Sequence, residues 1–358
     1  MLGASMMLVL EKIKSPVNTA FESVVDKHTV NFWLQKLNPL WSMHEPLGKI
    51  TNKQNAAADM LSIELLVNRH FQFGLAGQHH PVFVVVDGIR YERSYSLTKL
   101  DDQHVQLNVK KVTDGKVSTW LHEQAQIGDI IEFGLPFGDM TLTASTQPLV
   151  LLAAGSGITP MLSMLQYMQQ TNTLNQPVHL LYWVKTEADA AFKAQFDALA
   201  SQYSQFKYDV FYTQAGDKRL NSSHIERISL LEQSTIYACG PSGFVTRVQE
   251  LCTAAQTLKT EAFSLNDLTS DDVGFVNITL TKSNKILTIA KGQSILSSLE
   301  QQNVKPSHGC RMGICNKCAC NKAEGTTRNL INGMQNPEPG NLLKICVNSA
   351  QTDLVIDL

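Results

Sequence analysis

Four cysteines lie within the segment CRMGICNKCAC, at positions 310–320 of a 358-residue chain that contains seven cysteines in all. Cys310, Cys315 and Cys318 are spaced as C-x4-C-x2-C, and Cys346 follows later in the chain. A short loop that supplies three thiolates, together with a distant fourth, is the spacing of a plant-type [2Fe–2S] site. Because such a loop must wrap closely around its metal, it constrains the fold of the C-terminal part strongly.

Two other kinds of site use clustered cysteines. Four thiolates could hold a structural zinc ion, and a C-x-x-C pair could be a dithiol redox site. Zinc sites usually combine two short cysteine pairs, whereas one loop supplies three ligands here, so the spacing favours the iron–sulfur cluster. Cys320 exceeds the count of four ligands and is predicted to be a small buried residue.

Composition and charge narrow the class of protein. Apolar residues make up 43% of the chain and charged residues 17%, which predicts a soluble globular protein of two or three domains. The formal net charge of -2 gives no indication of nucleic-acid binding. No apolar run reaches the roughly 18 residues needed to cross a bilayer. An odd number of mostly clustered cysteines suits a reducing compartment, so we expect a cytoplasmic protein.

Changes in the sequence pattern divide the chain into units. We predict an N-terminal extension at 1–47, an antiparallel β-barrel at 48–145, a parallel α/β domain at 146–263, a linker at 264–273 and an α+β domain at 274–358. Alternating runs such as HVQLNVKKV are typical of a barrel. Strands such as PLVLLAAG and STIYACG, separated by helical segments, indicate a parallel sheet. The extension is expected to be irregular, because FWLQKLNPLW concentrates aromatic residues around a proline.

Two glycine-marked strand ends predict a dinucleotide site. In LLAAGSGITPMLSML, Gly155 and Gly157 allow the backbone to approach a phosphate closely, and Pro160 suits the first turn of a helix whose N-terminus attracts anions. In YACGPSGF, Gly240 and Pro241 stand at the same kind of boundary. The two ends would form one crevice at the edge of the sheet.

The choice of nucleotide depends on the segment YWVKTEADAAF. Lys185 and Thr186 follow the second strand of the parallel sheet, where a cation and a hydroxyl could bind a 2′-phosphate. Glu187 lies two residues beyond Lys185, and an acidic residue would favour NADH by binding the ribose hydroxyl. We predict a preference for NADPH over NADH.

The barrel region contains the segment RSYS at positions 93–96. Arg93 could pair with a pyrophosphate and Tyr95 could cover a flat ring, although a Tyr–Ser strand can also be ordinary barrel wall. The segments GKVSTWL and GLPFGD add glycine-containing turns that could contact the same phosphates.

Together these motifs resemble the ferredoxin–NADP reductase superfamily, and in particular its members with a C-terminal plant-type ferredoxin domain. The resemblance covers about residues 48–358 and rests on RSYS, G-x-x-S-x-x-L at 115–121, G-x-x-x-G at 134–138, G-x-G-x-x-P at 155–160, C-G-P at 239–241 and E-x-F at 261–263. It implies a flavin-binding antiparallel β-barrel, an α/β nucleotide domain with a parallel sheet, and an α+β ferredoxin-like (β-grasp) domain.

The resemblance also implies a role for each matching residue of the barrel. Arg93 would bind the flavin phosphates, Tyr95 would pack against the isoalloxazine, and Ser96 would lie near its N5 atom. Ser118 would lie at the N-terminus of a short helix facing the flavin pyrophosphate, with Gly138 in a neighbouring turn. FAD is the commoner flavin in this superfamily, and FMN stays open as an alternative. Met140 stands where a phenylalanine is common.

For the nucleotide domain, the implied phosphate-binding residues are Gly155, Gly157, Pro160, Gly240 and Pro241. Cys239 would lie near the nicotinamide C4 atom and Phe263 near the flavin ring, so both join Ser96 as catalytic positions. The hydride chemistry belongs to the cofactors, while the protein orients them.

The order of cofactors indicates a reductase that takes two electrons from NAD(P)H and releases them singly to a separate protein. The segment LNPLWS, ahead of this reductase pattern, resembles bacterial electron-transfer partners of membrane fatty acyl desaturases. We therefore expect a membrane di-iron desaturase as acceptor, reached at the inner face of the membrane. Arg311 and Lys317 predict a basic rim near the iron that would steer this partner.

Three rival functions stay open at this point. The acceptor could be a soluble ring-hydroxylating dioxygenase or another monooxygenase. The protein could reduce a free flavin or a quinone directly, although a two-electron acceptor needs no cluster. It could also be a non-catalytic redox-sensing subunit.

Overall fold

The computed structural model of the protein describes residues 27–113, 115–143, 145–263 and 273–358. In these ranges the α-helices are α1 (Lys27–Leu37), α2 (Lys116–Glu123), α3 (Ile158–Gln170), α4 (Lys193–Gln202), α5 (Ser222–Ile225), α6 (Ser242–Leu251) and α7 (Ile295–Gln301). None of the described helices is both long and apolar enough to cross a membrane.

The first six strands close into an antiparallel barrel with the order β1-β2-β5-β4-β3-β6. They are β1 (Leu47–Ala57), β2 (Met60–Val67), β3 (His79–Val86), β4 (Ile89–Lys99), β5 (His104–Lys110) and β6 (Ile130–Phe133). Alternating side chains fill the interior, where Ile63, Leu65 and Leu107 are fully buried. At the closure, Gly48 lies opposite Ile131, and a Cβ on Gly48 would come within 2.7 Å of the Phe133 ring. The predicted barrel is confirmed.

The next five strands form a parallel sheet with the order β11-β10-β7-β8-β9. They are β7 (Leu149–Ala154), β8 (Val178–Val184), β9 (Phe206–Tyr212), β10 (Thr235–Gly240) and β11 (Thr257–Ala262). Leu151 faces one apolar core that contains α3, and Leu152 faces a second core that contains α6. Because helices cover both faces, β7 is apolar throughout, and the predicted parallel sheet is confirmed.

The C-terminal strands form a mixed sheet with the order β13-β12-β19-β14-β17 and a small sheet with the order β16-β15-β18. They are β12 (Phe275–Leu280), β13 (Lys285–Ala290), β14 (Ala319–Glu324), β15 (Thr327–Asn329), β16 (Gln335–Asn336), β17 (Asn341–Lys344), β18 (Asn348–Ala350) and β19 (Leu354–Ile356). α7 packs on this sheet through Ile295, Leu296 and Leu299, which are almost fully buried. The cysteine segment runs between α7 and β14.

The prediction that residues 1–47 are irregular is wrong for part of that range. Residues Lys27–Leu37 form α1, which ends two residues before Pro39, as expected where proline stops a helix. The aromatic residues around that proline hid the helix in the sequence pattern. Residues 1–26 and most of the predicted linker, 264–272, lie outside the described residues.

Candidate functional site

β4 carries three of the residues predicted to contact a flavin. Tyr95 and Ser96 pair with His80 and His79 of β3, and Arg93 lies two residues earlier on the same strand. The guanidinium of Arg93 donates a hydrogen bond of 2.7 Å to the backbone oxygen of Glu92. Burial lowers the pKa of Arg93 and raises that of Tyr95. The raised pKa keeps the Tyr95 phenol neutral at physiological pH.

Three hydroxyl groups lie along β4 at alternating positions, Ser94, Ser96 and Thr98, and so share one side of the strand. Each hydroxyl oxygen is buried, and none has a hydrogen-bond partner among the described residues. Buried polar atoms normally find a partner. Tyr95 and Arg93 lie on the other side of the strand. The unpartnered hydroxyls can hydrogen-bond the polar edge of a ligand, which is compatible with a flavin beside β4.

The predicted phosphate-binding turns of the barrel differ in geometry. The Ser118 hydroxyl donates to the backbone oxygen of Gly115 at 3.3 Å and accepts from the amide of Val112 at 3.2 Å, so it is engaged within its own turn. The N-cap of α2, Gly115, offers no side-chain cap, which leaves the amides at this helix end available to an anion. Gly138 has φ +112°, and a Cβ there would come within 2.9 Å of His79 Nε2.

The barrel and the parallel sheet meet at a close contact between a histidine and a glutamate that sequence reasoning did not foresee. His79 Nε2 lies 2.8 Å from Glu261 Oε1, and both side chains are almost buried. Glu261 pairs with Cys239 between β11 and β10, while His79 pairs with Ser96 between β3 and β4. The amide of Phe263 donates to the Gly240 oxygen at 2.9 Å. The three predicted catalytic positions thus lie around one carboxylate.

Burial and the neighbouring Glu261 raise the pKa of the Cys239 thiol well above its ordinary value. The thiol is therefore neutral at physiological pH and can act as a small packing group rather than as a nucleophile. The backbone at Gly157 lies directly against Cys239: a Cβ on Gly157 would lie 2.0 Å from the backbone oxygen of Cys239. No residue larger than glycine fits at that turn.

A cavity of about 730 Å³ opens at the carboxyl ends of the parallel strands. Its walls come from the ends of β7 to β10, the start of α6 and the barrel, and include Gly155, Pro241, Trp183 and Phe244. Gly155 opens a short 3₁₀ turn with φ +54° directly before α3, whose first turn contains Pro160. This is where open parallel sheets bind dinucleotides.

The cations that line this cavity differ in whether they have an acidic partner. Two of them have acidic partners, namely Lys110 with Asp59 at 2.9 Å and Arg247 with Glu250 at 2.8 Å. Lys185 and Arg219 are exposed, and neither has an acidic partner among the described residues. They are suitably free to bind an anionic group.

The other residue predicted to select the nucleotide has a different contact. The Thr186 hydroxyl donates to Asp189 at 2.7 Å, and its amide donates to the same carboxylate at 3.0 Å. This capping arrangement starts a short 3₁₀ turn. Thr186 is therefore held beside the cavity with its hydroxyl already engaged, and its role at a phosphate stays a prediction.

The cysteine segment folds into a tight loop, called here the thiol loop (residues 309–318). Left-handed backbone at Arg311, Gly313 and Asn316 turns the chain back on itself. Amide groups point at the sulfurs: Cys315 N and Met312 N lie 3.3 and 3.4 Å from Cys310 Sγ. Hydrogen bonds to sulfur stabilise thiolates and tune iron–sulfur clusters.

The four predicted ligands are arranged as two close pairs. Cys310 lies against Cys315, and Cys318 lies against Cys346; these contacts lower the pKa values of the Cys315 and Cys318 thiols. Among the described residues, no three His, Cys, Asp or Glu side chains converge as ligands of a single metal ion. Two pairs suit a two-iron cluster, in which each iron takes two thiolates, better than tetrahedral zinc.

Of two predictions about this region, the structure confirms one and contradicts the other. Cys320 lies on β14 and is buried in the C-terminal apolar core, as predicted. The expected basic rim is wrong, because its cations have internal partners. Arg311 binds the Glu300 carboxylate through both terminal nitrogens, at 2.8 and 2.5 Å, and Lys317 lies 2.7 Å from Glu92 on the barrel.

Two residues of the site escaped sequence reasoning. His79 looked like an ordinary strand residue, since nothing local marks its contact with Glu261 across the barrel–sheet interface. Arg219 stands in the loop after β9, and its signal was available: the third strand end of the parallel sheet carries the basic pair Lys218 and Arg219.

Known proteins share this architecture and sequence. Models for an Oxidoreductase FAD-binding domain and an Oxidoreductase NAD-binding domain match residues 48–142 and 151–250. An NADPH oxidoreductase of Mycobacterium tuberculosis is 32% identical over 337 residues, which cover 91% of this chain and 88% of that protein. The chain belongs to the FAD- and NAD(P)-binding oxidoreductases. The predicted NAD(P)H-dependent oxidoreductase activity and the two nucleotide-binding domains are thereby confirmed.

Two further comparisons extend beyond these domains. The oxidoreductase is 27% identical to phenoxybenzoate dioxygenase subunit beta of Ectopseudomonas oleovorans over 274 residues. The aligned residues cover 74% of this chain and 83% of that protein. The oxidoreductase also shares its fold with the solved structure of phthalate dioxygenase reductase, with a TM-score of 0.64 and 24% identity. That match covers 88% of the oxidoreductase and 98% of the other chain.

Proposed function

We propose that the oxidoreductase carries electrons from NADPH through FAD to a [2Fe–2S] cluster, and from there to a separate oxygen-activating enzyme. The observation that carries this proposal is the arrangement of the four candidate ligands as two close pairs, with Cys310, Cys315 and Cys318 in the thiol loop, which contacts β4, and Cys346 on the segment between β17 and β18. Support also comes from phthalate dioxygenase reductase, which is described as a modular structure for electron transfer from pyridine nucleotides to [2Fe-2S].

In this proposal the domains keep the predicted boundaries. Residues 48–145 form the flavin domain, 146–263 the nucleotide domain and 274–358 a ferredoxin-like β-grasp domain. The β12–β13 hairpin, α7 and the mixed sheet support the last of these.

The barrel residues would hold FAD as follows. Arg93 and the N-terminal amides of α2 would bind its phosphates, with Ser118 and Gly138 in the flanking turns. Tyr95 would cover the ring, and the unpartnered hydroxyl of Ser96 would face its polar edge.

The cavity residues would hold NADPH. Gly155, Gly157 and Pro160 would receive the pyrophosphate, with Gly240 and Pro241 on the opposite side of the crevice. Lys185 and Arg219, whose charges have no acidic partner in the described part of the chain, would bind the 2′-phosphate. Thr186 would border the same group.

The bound cofactors would supply two functions, namely acceptance of a hydride from NADPH and release of electrons one at a time. The protein's part is orientation and electrostatics. Neutral Cys239 and Phe263 would shape the space for the nicotinamide and the flavin. The buried His79 and Glu261 side chains, 2.8 Å apart, would help to hold the edge of the barrel beside Ser96 against the parallel sheet.

For the acceptor we propose a membrane-bound di-iron desaturase. Support comes from the surface called here the aromatic face, which consists of Phe32, Trp33, Leu37 and Trp41. Its side chains are 52% to 77% exposed, whereas Asn31 is buried and accepts a hydrogen bond from the Met43 amide. α1 contains two lysines and no acidic residue. A helix that turns aromatic residues outward among cations suits an anionic membrane surface.

A soluble ring-hydroxylating dioxygenase is the second candidate acceptor. It is favoured by the likeness to phenoxybenzoate dioxygenase subunit beta. A non-catalytic redox-sensing subunit is disfavoured, because the chain is an oxidoreductase with an open nucleotide cavity. Direct reduction of a free flavin or quinone is disfavoured, because it would not require the thiol loop.

The experiment starts with the purified protein, which should be brown-yellow and contain flavin and about two irons per chain. NADPH-driven double-bond formation is then measured with membranes that contain a di-iron desaturase, in parallel with product formation by a soluble ring-hydroxylating dioxygenase. Turnover with the dioxygenase alone would move the assignment to the second candidate. Absence of iron would contradict the cluster and with it the proposed electron path.

A further inference from the structure

The thiol loop is held against the flavin strand by one ion pair. Lys317 Nζ lies 2.7 Å from Glu92 Oε2. Glu92 belongs to β4, and Lys317 stands between the cysteines Cys315 and Cys318. The Glu92 side chain is only 11% exposed, so this pair is well shielded from water on the acidic side.

Close packing surrounds the same carboxylate. A Cβ on Gly309 would come within 2.6 Å of Glu92 Oε1 and within 2.9 Å of Cys315 Sγ. Glu92 Oε1 is buried and has no hydrogen-bond partner among the described residues. Glycine at position 309 therefore allows the loop backbone to approach β4 this closely, because a larger residue would clash.

The contact lies beside the proposed flavin site. Glu92 directly precedes Arg93, whose guanidinium binds the Glu92 backbone oxygen at 2.7 Å. On the neighbouring strand β3, Phe83 is the register partner of Glu92, and the Lys317 ammonium lies 5.4 Å from the centre of that ring. One strand thus offers its side chains to the flavin and to the thiol loop.

We propose that the Glu92–Lys317 pair positions the thiol loop relative to the flavin and thereby sets the rate of electron transfer from flavin to cluster. This inference rests on the proposed function. The transfer it serves moves one electron: the reduced flavin is oxidised by one electron, and one iron goes from ferric to ferrous. Rates of such transfers fall steeply with the distance between cofactors, so a contact that fixes this distance governs the rate.

The charges of the pair also act on the cluster directly. A carboxylate near the cluster disfavours addition of an electron, and an ammonium favours it. Removing the negative charge of Glu92 should shift the reduction potential of the cluster upward. Removing the positive charge of Lys317 should shift it downward. This gives a readout that does not depend on turnover.

The test uses Glu92→Gln, Lys317→Met and the double variant in the flavin- and iron-loaded protein. Anaerobic stopped-flow mixing with NADPH follows flavin reduction and cluster reduction separately. Flavin reduction should stay within twofold of the parent, while cluster reduction slows by roughly tenfold or more in each single variant. The double variant should be no slower than either single one, because both remove the same interaction.

Potentials of the cluster are measured in parallel by titration followed with electron paramagnetic resonance, with opposite shifts expected for the two single variants. The matched control is Arg90→Met with Glu132→Gln. This pair is 2.8 Å apart on the same barrel and more exposed. It should change neither rate.

Specific outcomes would overturn the inference. Cluster reduction at the parental rate in all three variants, with iron content intact, would contradict it and leave the proposed function standing. Equal slowing of flavin reduction would indicate general distortion of the barrel and would also contradict it. Loss of iron in the variants would show that the pair stabilises the site and does not set a distance. A parent protein without iron would instead refute the proposed function itself.

Discussion

His80 is buried at the start of β3, where its ring stacks on Phe71 with 5.0 Å between centroids. Its Nδ1 lies 3.3 Å from the Gly134 oxygen. Burial lowers the pKa of His80 to about 4 from an ordinary 6.5. The folded protein therefore keeps this ring neutral at pH values where the unfolded chain binds a proton.

That difference predicts acid sensitivity. Stability from neutral His80 is fully present above pH 6.5 and is lost as the pH falls towards 4, amounting to roughly 3 kcal/mol over this range. Denaturant unfolding of the parent and of His80→Phe at pH 7 and pH 4.5 measures it. The variant should lose less free energy of unfolding on acidification. Parallel losses in both proteins would show that other groups cause the acid sensitivity.

Lys185 and Arg219 carry the second prediction at this scale. If they bind the 2′-phosphate, Lys185→Ala and Arg219→Ala should each lower kcat/KM for NADPH by about tenfold and leave that for NADH nearly unchanged. Arg247→Ala is a suitable comparison, since Arg247 lines the same cavity but is paired with Glu250. A parent that prefers NADH, with a preference unaffected by Lys185→Ala, would refute the assignment.

At the scale of elements, a helix or strand could be predicted where its sequence pattern depends little on contacts with distant residues. β7 could be predicted because a strand buried on both faces is apolar at every position, and that signal lies within the strand itself. The turn at Gly155 and Gly157 was equally visible. α1 was missed, because its residue Asn31 is buried while Phe32, Trp33 and Leu37 are exposed, which departs from the usual amphipathic pattern.

The thiol loop shows the same limit. Its spacing indicated which cysteines are candidate ligands, but the contact of Lys317 with Glu92 joins residues 225 positions apart, and no local pattern encodes it. Arg311 likewise looked free to meet a partner until its contact with Glu300 was known. Charges near a predicted site can therefore be assigned to partners only after the tertiary fold is known.

The loop also yields a prediction. Serine at Cys310, Cys315, Cys318 or Cys346 should remove or destabilise the cluster while NADPH still reduces the flavin wherever the protein folds. Cys320→Ser should retain about two irons per chain and lose only packing stability in the core. Iron analysis and visible spectra of the five variants measure this. Iron loss in Cys320→Ser, with iron retained in Cys346→Ser, would contradict the ligand set.

At the scale of the whole molecule, the described surface has two distinct ends of the proposed electron path. NADPH would enter at the carboxyl edge of the parallel sheet, and electrons would leave near the thiol loop. Arg311 and Lys317 have acidic partners within the protein, so these two cations are not free to steer an acceptor. Another surface that could orient the protein towards an acceptor is the aromatic face.

We expect the protein to bind anionic membranes through the aromatic face. The parent protein should sediment with vesicles of phosphatidylglycerol and phosphatidylethanolamine, and less with phosphatidylcholine alone, because the Lys36 ammonium lies 5.4 Å from the centre of the exposed Phe32 ring. The double variant Trp33→Ser, Leu37→Ser should lose most of this binding. Ile127→Ser is the matched control, since Ile127 is 66% exposed and lies outside α1, in the turn before β6.

The alternatives have separate signatures in the same experiment. A parent that forms dimers, and whose double variant is monomeric, would show that the aromatic face covers a second copy of the chain. Absence of vesicle binding by a monomeric parent would show that the aromatic face is not a membrane-binding surface. Either result would remove the support for a membrane-bound acceptor and favour a soluble dioxygenase, because the oxidoreductase would then have no described surface suited to a lipid bilayer.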